Sequence, residues 1–149
     1  GELGYWPGVA SHAEIDRTSG LLYVADSGNN RVGVLDTRTG TEGAPIDPNY
    51  DGGEQYEMNG SELRTLIDGA DAGMSRPSGL ALSDGVLFVT DNASSRIVAL
   101  DLEGNVLDWL ELDGVVSGGG LMGIEVGPEG DLWIVDVSED RVLRITPRP

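Results

Sequence analysis

The chain has no cysteine and no lysine, and each absence removes a class of function. Without cysteine there are no disulfides, thiolate metal ligands or thiol nucleophiles. No run of 18 apolar residues occurs, so we expect no membrane insertion. All 9 basic residues are arginine, against 26 Asp and Glu, and the formal net charge is -17. That charge disfavours nucleic acid and anionic membrane surfaces as partners but permits cations and basic partners.

The same acidic composition bears on location. An acidic, well-solvated surface is typical of many exported or salt-adapted bacterial proteins. We therefore expect a bacterial protein that is extracellular or periplasmic.

What the chain does contain is a repeat. Residues 22–26, 87–91 and 132–136 each consist of Leu, an aromatic residue, Val or Ile, a small or branched residue, and Asp. Short apolar runs rich in β-branched and aromatic residues, ending at turn residues, predict strands. Both faces of these strands are apolar, so both faces are predicted to be covered by neighbouring layers.

An arginine follows each of these aspartates five positions later. The two residues flank a four-residue stretch that suits a short hairpin loop, which brings them close enough to pair or to hold the loop backbone. Because one couple occurs in every copy, we interpret them as structural repeat pairs: Asp26 with Arg31, Asp91 with Arg96, and Asp136 with Arg141.

The spacing of the copies predicts the architecture. The second and third aspartates are 45 residues apart and the first and second 65, so the first unit carries an insertion, placed at 41–60. A four-stranded antiparallel unit of about 40–45 residues is a propeller blade, and the predicted fold is all-β. The predicted division of the chain is a lead-in strand at 1–9 and blades at 10–68, 76–114 and 121–149, the last without its outer strand.

Two segments carry a family resemblance. Pro-Ser-Gly-Leu-Ala-Leu at 77–82 and Leu-Tyr-Val-Ala-Asp-Ser-Gly-Asn-Asn-Arg-Val at 22–32 resemble the NHL repeat family of β-propellers, and the likeness covers about residues 11–146. The third copy departs from the pattern, because Val-Ser-Glu-Asp at 137–140 replaces the Ser-Gly-Asn-Asn loop. The resemblance implies a ring of usually six blades, of which three are present here.

A three-bladed arc would leave two apolar end faces in water, at a cost on the order of 10 kcal/mol. We therefore expect the ring to be completed by a second half-propeller, which is a second copy of this chain, another chain, or a segment missing from this sequence. The ending at Pro149 favours a native C-terminus, and the unfinished last blade needs a strand from elsewhere. Residues 1–9 of a partner chain are one candidate for that strand.

His12, Glu14 and Glu125 are the candidate metal ligands. Alternation along a strand places His12 and Glu14 on one face, and alignment of the inner strands places Glu14 with Glu125 near the central channel. Such a group could bind Ca2+ through oxygens or a transition metal through His12, although zinc would need more ligands. In the alternative interpretation these side chains line the channel and bond to water, backbone or arginine.

Two functions remain open. The first is a binding scaffold for a protein, peptide or glycan; the second is a metal-dependent (Ca or Zn) lyase or lactonase-like hydrolase at the channel mouth, as in related propellers. No catalytic residue is assigned, because no nucleophile elbow surrounds a serine. The acids of the insertion, Asp47, Asp51 and Glu54, lack the EF-hand spacing, and this segment is predicted as a solvated loop.

Overall fold

The computed structural model describes residues 2–47 and 52–146. Within those residues the fold is built from antiparallel β-sheets and contains no α-helix, which confirms the all-β prediction. The strands are β1 (Ala13–Asp16), β2 (Leu21–Asp26), β3 (Arg31–Asp36), β4 (Thr41–Pro45), β5 (Tyr56–Asn59), β6 (Arg64–Asp68), β7 (Pro77–Ser83), β8 (Val86–Asp91), β9 (Arg96–Asp101), β10 (Val106–Glu111), β11 (Leu121–Val126), β12 (Leu132–Asp136) and β13 (Arg141–Ile145).

Eleven of the thirteen strands form three sheets that correspond to the three repeats. Blade 1 has the strand order β1-β2-β3-β6, blade 2 the order β7-β8-β9-β10, and blade 3 the order β11-β12-β13. The strands β2 and β8 contain the predicted runs at 22–26 and 87–91, and both end at the repeat aspartate. They do so because each apolar run is bounded by turn residues on both sides.

Two stretches of the first unit differ from the prediction. Residues 2–12 contain no strand, so the predicted lead-in strand at 1–9 is wrong for its described part. The insertion is not a simple loop, because β4 and β5 pair in a separate two-stranded sheet. Most of this hairpin is exposed, so no apolar periodicity marked it in the sequence. Asp51 lies outside the described residues.

The blades pack face to face through two apolar clusters. Tyr23 and Val34 of blade 1 meet Leu87 and Val89 of blade 2 in the first cluster. In the second, Ile97 of blade 2 packs with residues of blade 3. Alternate residues of β8 face opposite blades, and for this reason the strand is apolar on both sides.

The two faces of blade 3 differ in burial. Ile134 faces blade 2 and is buried, whereas Trp133, Val135 and Val142 on the other side are exposed. Among the described residues, no helix is long and apolar enough to cross a membrane.

Candidate binding rim

The loops and the N-terminal segment gather at one end of the blades, which we call the loop rim. It comprises residues 2–9, the loops 27–30, 92–95 and 137–140, and the connections 69–76 and 112–120. Hydrogen bonds join these pieces to one another, so the rim is a continuous surface. Loops held by a rigid sheet scaffold are a frequent place for binding residues.

In blades 1 and 3 the repeat aspartate and arginine form ion pairs. The Arg31 Nε lies 2.7 Å from Asp26 Oδ2, and the Arg141 Nε lies 2.9 Å from Asp136 Oδ2. Both aspartates are fully buried. A buried carboxylate needs such partners, because burial of an unpaired charge is costly.

Blade 2 departs from this arrangement, because Asp91 and Arg96 form no ion pair with each other. Arg96 pairs instead with Glu111 on the outer strand β10. The Asp91 carboxylate accepts hydrogen bonds from the backbone N–H groups of Ser75 (3.1 Å) and Arg76 (2.6 Å). Asp91 therefore holds the connection between blades, and the predicted couple acts as two separate contacts.

The paired aspartates have lowered pKa values. Burial by itself would raise the pKa of Asp26, but hydrogen bonds from Asn29, Arg31 and the Gly4 N–H outweigh it and hold the pKa below 3.8. For Asp136, the hydrogen bond from the Ser138 hydroxyl is the largest cause of a lowered pKa. Both carboxylates are therefore charged at neutral pH and serve as acceptors that fix the loops.

Each four-residue loop ends in a left-handed residue just before the arginine. The φ angles are 48° at Asn30, 54° at Ser95 and 49° at Asp140. Asn and Asp tolerate this region because their side chains bond locally, whereas serine gains less. Ser95 is also buried, and its hydroxyl has no hydrogen-bond partner among the described residues.

The N-terminal segment lies across the first loop. The Gly4 N–H donates to Asp26 Oδ1 at 2.7 Å, and the Glu2 carbonyl accepts from Asn29 (2.9 Å) and Arg31 (3.1 Å). The backbones approach so closely that a Cβ on Gly28 would lie 2.3 Å from the Gly4 carbonyl carbon. The segment is thus fixed to the rim by main-chain contacts.

This fixed segment presents aromatic side chains to solvent. Tyr5 is 81% exposed and Trp6 is 42% exposed. The Arg76 guanidinium carbon lies 4.0 Å from the Trp6 ring centroid, within cation–π distance. Arg76 in turn donates to Asn92 Oδ1 at 3.3 Å, so Arg76 connects Trp6 to the start of the blade 2 loop.

Blade 3 contributes a polar cleft to the rim. The cleft measures about 480 Å³ and is lined by Gly114, Val115, Val116, Ser117, Glu139 and Arg141. The Arg141 Nη2 donates to the Val115 carbonyl, so the arginine links the start of β13 to the connection 112–120.

The three predicted metal ligands, His12, Glu14 and Glu125, differ in their contacts and in their exposure. The Nδ1 of His12 lies 2.9 Å from the Leu80 carbonyl oxygen and 3.1 Å from the Leu80 nitrogen, so His12 contacts the neighbouring blade. Glu14 is partly buried on β1, and Glu125 is exposed on β11. Across residues 2–47 and 52–146, no three His, Asp or Glu side chains are grouped to hold a metal ion. The metal site stays a prediction that needs ligands beyond those residues.

Buried polar contacts between blades were not predicted. Ser27 donates to the Pro77 carbonyl at 2.6 Å, and Asn92 donates to the Gly119 and Leu121 carbonyls at 2.8 Å each. Both donors directly follow the repeat aspartate of their blade. The sequence did carry a signal for these contacts, because a polar residue directly follows the repeat aspartate in two of the three copies.

Comparison with known proteins supports the fold. No family model matches the chain, and no curated protein matches its sequence. A luciferin-regenerating enzyme is similar in structure, with a TM-score of 0.64 and 17% identity, over 93% of this chain and 45% of that one. Hydrazine synthase of Kuenenia stuttgartiensis matches with a TM-score of 0.50 and 14% identity, over 97% of this chain and 38% of that one.

A third similar structure is virginiamycin B lyase of Staphylococcus aureus, with a TM-score of 0.44 and 17% identity, over 97% of this chain and 58% of that one. The luciferin-regenerating enzyme is a β-propeller-type protein, and the three sheets of this chain are blades of that fold. The chain spans less than half the length of the first two structures.

Proposed function

We propose that the chain is part of an NHL-type β-propeller that serves as a binding scaffold for a protein, peptide or glycan, with its site on the loop rim. The observation that carries this proposal is the exposed Tyr5–Trp6 pair, held by backbone hydrogen bonds and backed by Arg76. Tyr, Trp and Arg are the residues most enriched at binding hot spots. Pre-fixed aromatic side chains lose little conformational entropy on binding, which favours affinity.

A display experiment tests this site. Peptide libraries and glycan arrays are screened with the wild-type chain, and each ligand found is titrated against the Tyr5→Ala/Trp6→Ala double variant. We expect affinity to fall at least about tenfold, since each hot-spot aromatic typically contributes 1–2 kcal/mol or more. Trp109→Ala is the matched control, because Trp109 is an exposed aromatic residue on β10. Ligands that lose affinity with Trp109→Ala but not with the double variant would contradict the proposed site.

The alternative function is that of a metal-dependent lyase or lactonase-like hydrolase with His12, Glu14 and Glu125 at the channel mouth. One contact favours it: the Leu80 backbone occupies the His12 Nδ1, at 2.9 Å from the carbonyl oxygen and 3.1 Å from the nitrogen, so Nε2 is the ring nitrogen left for a metal. Metal analysis of the purified protein, repeated on His12→Ala and Glu14→Ala, tests this function. Absence of metal, or a metal content that neither substitution changes, would remove its support.

Assembly and location are part of the proposal. The exposed Val135 and Val142 on the far face of blade 3 support a second half-propeller as a partner, because this face has the composition of a blade interface. Native mass spectrometry of the purified chain measures how many copies associate. The acidic composition supports an exported protein, which fractionation of the producing cells would test.

A further inference from the structure

Three arginines form no ion pair with any described residue: Arg17, Arg64 and Arg76. Arg17 and Arg64 are exposed, so water solvates their charge. Arg76 is half-buried on the loop rim, where its guanidinium lies over the Trp6 ring. A half-buried charge without a counter-ion is costly, because burial removes water that would otherwise solvate it.

The guanidinium of Arg76 has more donors than partners. A guanidinium carries five N–H donors, and in Arg76 only Nη1 donates to a described residue, to Asn92 Oδ1 at 3.3 Å. The Nε is buried and has no hydrogen-bond partner there. Arg96 also has a buried Nε without a partner, but Glu111 matches its charge. Arg76 therefore lacks both acceptors and a negative charge, and a carboxylate supplies both.

The acids of the two adjoining loops are already engaged. The Asp91 carboxylate accepts hydrogen bonds from the Ser75 and Arg76 backbone N–H groups and from the Ser94 hydroxyl. Asp26 pairs with Arg31. A dianionic phosphate would need more positive charge than one arginine provides on a chain of net charge -17. The group that best fits Arg76 is therefore a monovalent carboxylate of a ligand.

The side chains beside Arg76 indicate what carries this carboxylate. Trp6 is still 42% exposed under the guanidinium, and Tyr5 is 81% exposed. Residues 2–12 form no strand, so this segment offers no strand edge to a peptide. Open aromatic rings suit the apolar C–H face of a sugar, whose burial against them is favourable. A uronic acid combines such a face with a carboxylate.

We propose that the loop rim recognises an acidic glycan, with the carboxylate of a uronic acid on Arg76 and the sugar ring against Tyr5 or Trp6. This ligand class rests on the proposed binding function of the rim and specifies it. The contact with Trp6 holds the guanidinium in place, so little side-chain freedom is lost on binding. The acidic chain repels such a ligand at long range, but salt at about 0.15 M screens charges beyond about 8 Å and leaves the direct contact.

The test uses two acidic oligosaccharides, one of galacturonic acid and one of glucuronic acid, each paired with the same oligosaccharide after reduction of its carboxyl groups to alcohols. Calorimetric titration measures the four affinities. We expect the wild-type chain to bind at least one acidic form at least about tenfold more tightly than its reduced form, as charge-assisted hydrogen bonds to one guanidinium imply.

Variants assign this preference to Arg76. Arg76→Gln is expected to lower the affinity for the acidic form to that for the reduced form. Arg76→Lys keeps the charge but loses the planar fork, and should retain only part of the preference. Arg17→Gln is the matched control, because it removes the same charge from an unpaired arginine at the opposite end of blade 1 and should leave the preference unchanged. Thermal unfolding checks that each variant is folded.

The Tyr5→Ala/Trp6→Ala variant separates this proposal from the proposed function. If acidic and reduced forms bind the wild-type chain equally and both lose affinity in this variant, the rim site stands and the carboxylate proposal fails. If this variant and Arg76→Gln both bind like the wild type, the rim site fails as well. No binding of any of the four oligosaccharides, or equal binding of a Glu-containing peptide that also requires Arg76, would overturn the assignment to an acidic glycan.

Discussion

Asn92→Ala tests whether buried hydrogen bonds hold blades 2 and 3 together. The Asn92 side chain is buried and donates to the Gly119 and Leu121 carbonyls, at 2.8 Å in both cases. Alanine removes both bonds and also the longer, 3.3 Å hydrogen bond from Arg76 to Asn92 Oδ1. The Leu121 carbonyl keeps a second donor, the Ser78 hydroxyl at 3.1 Å, so only the Gly119 carbonyl loses the side-chain partner that satisfies it.

The expected loss of stability follows from these contacts. Each hydrogen bond contributes about 0.5–1.5 kcal/mol net, so the two together contribute about 2 kcal/mol. In urea, with a slope of about 2 kcal/mol per molar for a protein of this size, the unfolding midpoint should fall by about 1 M. The slope itself should not change, because the same surface is exposed on unfolding.

The control is another asparagine whose side chain donates to a carboxylate on the surface. Asn105 donates to Asp101 Oδ2 at 2.7 Å and is exposed, so Asn105→Ala should cost less than about 0.5 kcal/mol. The two variants are compared by urea unfolding followed by tryptophan fluorescence. If Asn92→Ala costs no more than Asn105→Ala, the buried contacts do not stabilise the interface and the reasoning is refuted.

Three further predictions follow from the loops and inner strands. Hydrogen bonds lower the folded-state pKa of Asp26 and Asp136 below 3.8, so these carboxylates stabilise the fold above about pH 4 and lose that effect as the pH falls through their folded-state pKa values. Urea unfolding between pH 6 and pH 2.5 should show the loss of stability, and a flat profile would contradict it. Ser95→Gly should stabilise the chain by roughly 0.5–1 kcal/mol, because it removes the backbone strain of a serine in the left-handed region and also a buried hydroxyl without a hydrogen-bond partner. An unchanged urea midpoint would argue against this. Gly79→Ala should destabilise the fold by at least about 1–3 kcal/mol, because the new Cβ would lie 2.3 Å from a carbonyl oxygen of blade 3. Gly123→Ala is the control and should be close to neutral, because no atom would lie nearer than 3.5 Å to its Cβ. Equal losses of stability in thermal unfolding would disprove the packing argument.

The strands of the blades were predictable because local and repeated signals agreed. The runs before Asp26, Asp91 and Asp136 combine strand-forming residues with turn residues at both ends, and the repetition fixed their equivalence. The hairpin of β4 and β5 was missed for the opposite reason. Its residues are mostly exposed and include proline and glycine, so burial imposed no pattern on them.

The rim was less predictable because its contacts join residues far apart in the chain. Nothing local indicates that Glu2 binds Arg31, or that Trp6 stacks on Arg76. Arg96 shows the same limit, since the repeat predicted Asp91 as its partner and nothing local indicated Glu111. The choice depends on the outer strand, which brings the Glu111 carboxylate to the guanidinium.

One of the columns in which the three repeats differ contacts the neighbouring blade. The residue before each repeat aspartate is Ala25, Thr90 or Val135. Ala25 packs in the apolar cluster with blade 2, whereas Thr90 accepts a hydrogen bond from the Gly79 N–H and donates to the Met122 carbonyl. Ala25 thus meets apolar side chains, whereas Thr90 meets main-chain polar groups. Val135 is exposed, and its branched apolar side chain suits a dry interface. Because the other two members of this column are buried against the following blade, we expect Val135→Lys to weaken any association of blade 3 with a partner half-ring while leaving the stability of the isolated chain within about 0.5 kcal/mol.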